Sequence, residues 1–236
     1  MAKPRQLLAL LGLTAAVAQY GWLARACLAT TLLAFAPLVA IAVNPAAQNE
    51  LLVKATDPYE GLTESAIEGD AAKVAKALRT AKSAAAATRT LLSPNASNHF
   101  DTLLAETKSA QAKSDMVAVA LASAEIYKLL VTACDPAALI VPAEVNLLDY
   151  VGFRSTALLK STKPDWSAFA ATAQEGNILW TKIRARVTDK KLQASLDRAL
   201  AGLTTAAAKQ DAALAATSAK QDLDLVDELE HFFGKK

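Results

Sequence analysis

The sequence predicts an all-α fold: an up-and-down bundle of four or five long antiparallel helices behind an N-terminal hydrophobic export segment. Three observations predict it. Apolar residues make up 53% of the chain and charged residues 20%, enough apolar material for a sizeable core. Much of that apolar count is alanine, the best helix former. Glycine and proline number only eight each and cluster between long stretches that contain neither, which argues against a β-rich fold.

The N-terminus comes first. Lys3 and Arg5 precede the apolar run at 7–18; a polar stretch ending at Arg25 follows, then eighteen uncharged residues at 26–43. A basic start, an apolar run and a small-residue site mark a secretory signal. Ala40-Ile41-Ala42 places cleavage after Ala42, so residues 1–42 are expected to be a signal peptide. The alternative is an uncleaved membrane anchor, because 18 to 22 apolar residues just span a bilayer. These residues carry three basic side chains and no acid, so the net charge of +2 falls to −1 without them. A near-neutral mature part gives no argument for nucleic-acid binding.

Residues 43–61 read as a linker, with two prolines and no sustained period. The bundle domain is expected over 62–236. Its first helix is expected over Leu62–Leu92, stopped by Ser93-Pro94-Asn95. The second runs from Ser97 to Cys134, apolar nearly all round from Met116 to Val131 and therefore central. The third covers 142–161, opened by Pro142, with Val145, Leu148, Gly152, Ser155 and Leu159 as a narrow seam. Gly152 costs roughly 1 kcal/mol of helix stability against alanine, which suggests close approach of a neighbouring backbone. The fourth covers 164–187 and the fifth Asp189–Phe233. If the third and fourth stack as one kinked element, the bundle has four helices; otherwise a fifth folds back. The tetrad AKQD occurs at 208–211 and 219–222, close to three helical turns apart, which predicts one exposed stripe. A local likeness between EGDAAKVAKAL and PDWSAFAATAQ is what amphipathic helix starts give, and implies no duplication.

Candidate sites are few. In DLDLVDELEHFF, Asp224, Asp227, Glu228 and His231 share one helical face, and Glu228 with His231 has the Glu-x-x-His spacing that points a carboxylate and an imidazole at one ion. That face lies opposite the apolar stripe, so a solvated helix end is the plain expectation and a metal or partner site the alternative. On the third helix, Asn146, Asp149, Tyr150 and Arg154 form a polar cluster near Gly152, read as structural, or with Arg154 as an anion contact. His99 is expected to be exposed near a helix start, and Cys134 to be a buried thiol. Trp166, Trp180, Tyr127 and Phe153 are expected in the core.

Covalent haem, zincin, P-loop, dinucleotide-fold and nucleophile-elbow motifs are missing from the sequence. The reading is therefore an exported, non-catalytic helical-bundle binding or interaction protein without a cofactor. It is periplasmic or secreted, or held to the membrane by an uncleaved N-terminal segment with the bundle outside the cytoplasm. Its partner is an envelope protein or a small ligand. The alternative is a carrier of a divalent metal or non-covalent haem that uses the C-terminal acidic and histidine cluster.

Overall fold

The computed structural model describes residues 44–235; the signal or anchor expected over residues 1–42, with its cleavage after Ala42, lies outside them. Every regular element among the described residues is helical. In chain order these are α1 (Pro45–Lys54), α2 (Asp57–Glu68), α3 (Ala71–Leu91), α4 (Pro94–Ala112), α5 (Met116–Thr132), α6 (Ala143–Leu159), α7 (Trp166–Ile183), α8 (Lys190–Lys209) and α9 (Ala212–Gly234). Short 3-10 turns at Pro136–Ala138 and Arg184–Arg186 lie between helices.

The all-α class is as expected, but four or five long helices become nine shorter ones. Three expected helices each break in two. The break after α2 is made by Gly69, at φ 76°, and by Asp70, which accepts from the amides of Ala72 and Lys73. The breaks after α4 and α8 contain neither glycine nor proline. There Ser114 and Gln210 take the left-handed conformation, at φ 57° and 53°, and Asp115 and Asp211 cap the next helix. An aspartate side chain satisfies the free amides of a helix start as well as any turn residue does. The expected linker is also helical. Asn44 caps α1, and Pro45 and Pro58 sit in first turns, where a missing amide costs nothing.

The two AKQD tetrads do not share an environment. Ala208 and Lys209 end α8 and Gln210 and Asp211 form the exposed turn after it, whereas the second tetrad lies inside α9 with Asp222 fully buried.

Helices α2 to α5 run up and down in sequence, and α5 closes the set against α2. Helices α6 to α9 repeat this arrangement, with α9 closing on α6. The two sets join where α5 packs on α6, while α1 lies against α3 and α5. Each set has its own apolar centre: Tyr59, Leu62, Phe100, Leu104, Ile126 and Leu130 in the first, and Leu148, Val151, Phe169, Leu196, Leu203 and Val226 in the second. Each fully buried side chain of this size contributes about 1.5–3 kcal/mol. At Gly152 the close neighbour is a side chain, not a backbone: a Cβ there would lie 2.5 Å from Leu223 Cδ2 of α9.

Candidate functional site

Helix α1 is pinned to the segment that joins the two sets. The Asn49 amide donates to the Asp135 carbonyl and its oxygen accepts from the Asp135 amide, both at 2.8 Å. The pinned helix walls a cleft of about 1030 Å³ with that joining segment, and Asp57, Asn146 and Glu230 of α2, α6 and α9 complete the lining. The rim is apolar. Leu51 and Ile140 line it while 54% and 76% exposed, beside Val53, Leu139 and Val141.

Asn146 is 9% exposed, and its Oδ1 is buried without a hydrogen-bond partner. Glu230 joins the cleft to an acidic group outside its lining: Glu60 on α2 and Asp149 on α6 feel its charge, and Asp227 on α9 acts on both Glu230 and Glu64. Burial pushes Asp149 up to about 8, and the charges of Glu230, Glu60, Asp222 and Asp227 add to the shift. Burial also raises Glu60 to about 7, with Glu64, Asp57, Glu230 and Asp227 contributing. Glu64 and Glu230 are raised for the same reasons, burial first and then like charge, from Glu68 and Asp227 on Glu64 and from Asp227 on Glu230. Tyr127 donates to Asp149 Oδ2 at a long 3.4 Å. Among the described residues, none of Asp57, Glu60, Glu64, Asp149, Asp227 and Glu230 has an ion pair, and Lys54 at the rim pairs with none of them.

Behind Asp149 lies Asp222, 0% exposed, with both carboxyl oxygens unpartnered. Burial holds it well above the usual carboxylate range. It lies against the backbone of α6, its Oδ2 3.3 Å from where a Cβ of Gly152 would be. Asn146 Oδ1 is an acceptor, as are the ionised carboxylates, while the protonated Asp222 offers one acceptor oxygen and one hydroxyl. What such a set lacks is a donor carrying positive charge.

The sequence-derived candidates divide. Asp224 is paired with Lys220 at 2.6 Å in solvent, and Glu228 and His231 are exposed. Asp227 belongs instead to the acidic group around Glu230. Among the described residues no three histidine, cysteine, aspartate or glutamate side chains are placed to hold a metal ion. Asp149 separates from Tyr150 and Arg154. Those two converge on Glu125 of α5: Tyr150 donates to it at 2.7 Å and Arg154 forms an ion pair with it. Arg154 Nε also donates to Thr172 Oγ1 of α7, and Lys128 sits over the Tyr150 ring while paired with Glu175. This polar cluster ties α5, α6 and α7 together. His99 is exposed in the first turns of α4, and Cys134 is a buried free thiol. Trp180 is core and donates to Asp197.

Asn146 and Asp149 were candidates on the third helix, whereas Glu60, Glu64, Asp222 and Glu230 were missed by the sequence reading. One signal was present. The buried positions of α9 run 215, 219, 222, 226, 229 and 233, alternating steps of four and three, and an aspartate occupies the third. No protein-family model, curated protein or solved structure matches the chain.

Proposed function

We propose that this chain is an exported, non-catalytic binding protein, and that its ligand is an amphiphilic organic cation: a primary amine with an alkyl or aromatic body. One observation carries the reading. Glu50, Asp57 and Glu230 line one cleft with the orphaned amide oxygen of Asn146, under a rim that carries the exposed Leu51 and Ile140. Glu230 adds its charge to that of the half-buried Glu60 and Asp149, and among the described residues the one basic side chain of the lining, Lys54, pairs with none of them. An ammonium group would donate to Glu230 and Asn146 Oδ1 in the lining and be drawn by the charge of the carboxylates beyond them. The apolar body replaces water on Leu51, Val53 and Ile140, a gain of roughly 25 cal/mol per Å² covered. The carboxylates are spread over three helices too widely to converge on one metal ion, which favours an extended organic cation. Export follows from the pattern of residues 1–42 and places the cleft outside the cytoplasm.

Octylamine is the probe. Calorimetric titration is expected to show one site, with a rise in Tm as the native state is stabilised. Octanol and octanoate, which share the chain but not the charge, are expected to leave both signals flat. Glu230→Gln and Asn146→Leu should each weaken octylamine at least tenfold. An unchanged Tm in millimolar octylamine sinks the proposal; binding of Zn²⁺ or Ca²⁺ in place of the amine replaces it with a metal site. N-terminal sequencing of the mature protein tests export, with Val43 the expected first residue.

A further inference from the structure

The two four-helix sets agree in detail as well as in outline. Ser114 and Gln210, the two left-handed non-glycine residues, stand 96 positions apart. Their turns share one hydrogen bond, from Asp115 N to the Ala110 carbonyl and from Asp211 N to the Ala206 carbonyl. Nine buried positions of α4 and α5 map at the same shift onto buried positions of α8 and α9, including Phe100 onto Leu196, Leu104 onto Leu200, Val119 onto Ala215 and Leu130 onto Val226. Shifted by 95, the buried residues 74, 78, 81, 85 and 88 of α3 land on the buried residues 169, 173, 176, 180 and 183 of α7. Arg89 pairs with Asp101 across α3 and α4, and Arg184 with Asp197 across α7 and α8, at the same two shifts.

Under this register, α9 carries acids where α5 is apolar. Val131 becomes Asp227 and Cys134 becomes Glu230. Exposure explains both: α6 covers that side of α5, whereas the matching side of α9 is open. It does not explain Ile126 becoming Asp222, because both are 0% exposed. An unpartnered buried carboxyl at a core position destabilises the fold and is retained for another reason.

We infer that the chain is a tandem duplication of one four-helix unit, and that its second copy has exchanged a core position for Asp222, which sets the affinity of the cation site through Asp149. The second half of this statement rests on the function proposed above. Asp222 is a positioning residue: it lies against α6 one turn from Asp149 and out of reach of solvent. Its carboxyl places a polar group between α6 and α9, beneath Asp149, at the position where the first copy has isoleucine.

The test uses the full mature chain with Asp222→Val, close in size and apolar, and Asp222→Asn, which keeps both size and polarity. Tm and octylamine affinity are measured for each. Asp222→Val is expected to raise Tm by several degrees and weaken octylamine at least tenfold. Asp222→Asn, which preserves the packing, should weaken the amine while leaving Tm near that of the parent. A lower Tm in Asp222→Val overturns the exchange, since the carboxyl would then be holding α6 to α9. A higher Tm with undiminished affinity overturns the role at the site. If the parent protein itself ignores octylamine, the amine reading and the affinity role fail together, and the Tm of Asp222→Val alone decides the exchange.

Discussion

The first and second helix sets share a plan and differ in what fills it. The α2–α5 set is a dry assembly. Its inner helix α5 is covered by α2, α4 and α6, and its one buried polar pair, Thr63 with Ser123, is hydrogen-bonded at 2.8 Å. The α6–α9 set holds the four orphaned buried polar atoms found among the described residues, on Asn146, Ser155 and Asp222. It also holds the glycines that pack against neighbouring helices, Gly152, Gly176 and Gly202, while a Cβ added at Gly61 in α2 would meet nothing within 4 Å. The same topology is thus filled once with satisfied polar groups and once with orphaned ones, and under the proposed function the second set is the one that carries the ligand site.

The sharpest way to break this comparison is to give the first set the feature of the second. Ile126→Asp is expected to cost about 4 kcal/mol or more, since it places an unpartnered carboxyl among Tyr59, Phe100 and Leu130. Chemical denaturation measures it; a loss below 1 kcal/mol would mean that the first set tolerates what the second does and that the two are not distinguished by their cores.

Acidity is the next lever. The folded protein holds protons on Asp149 and Glu60 up to about 8 and about 7, whereas an unfolded chain releases them near the usual carboxylate pKa. These groups therefore stabilise the fold most at the acid end of that window, and the contribution is lost as pH rises through 7 and 8. Tm is expected to fall by roughly 5 °C between pH 5 and pH 8.5. Octylamine should flatten that slope by supplying the missing charge. A Tm that climbs with pH over this window would contradict the acidic cleft.

A paired substitution compares the two packing modes. Gly61→Ala is expected to stabilise by about 0.5–1 kcal/mol through helix propensity alone. Gly152→Ala is expected to destabilise by about 1–2 kcal/mol, because Leu223 and Asp222 must move. The same sign at both positions would remove the distinction. The smallest effect concerns the two turns. Ser114→Gly and Gln210→Gly should each stabilise by roughly 0.5–1 kcal/mol, by relieving a left-handed conformation. Unequal gains would show that the turns are less alike than their hydrogen bonds.

Helices and their faces were legible in the sequence because alanine content and three-and-four spacing report them directly. The breaks at Ser114 and Gln210 were not, because a serine and a glutamine give no turn signal on their own. The aspartate that follows each of them was the cue. The prolines at 45 and 58 misled in the other direction, since the residue that ends one helix also starts the next. Duplication was hidden by alanine, which is common to both copies whether or not they are related. The site was least legible. Asp149 and Asp227 stood among the sequence candidates, but Glu60, Glu64 and Glu230 come from α2 and α9, whose meeting at α6 is a tertiary fact, and Asp222 left only the spacing of α9 as a trace.

The nearest-neighbour layout of the helices has a kinetic consequence. Every major contact is made within one four-helix set or across α5 and α6, which follow one another directly. No ring of contacts needs more chain than a single set to close. Folding of this kind proceeds through short-range encounters and is fast for its size. The N-terminal set has all its own partners before α6 is needed, so it is placed to fold as the earlier unit. The acidic cleft, drawn from α2, α6 and α9, assembles in the final step.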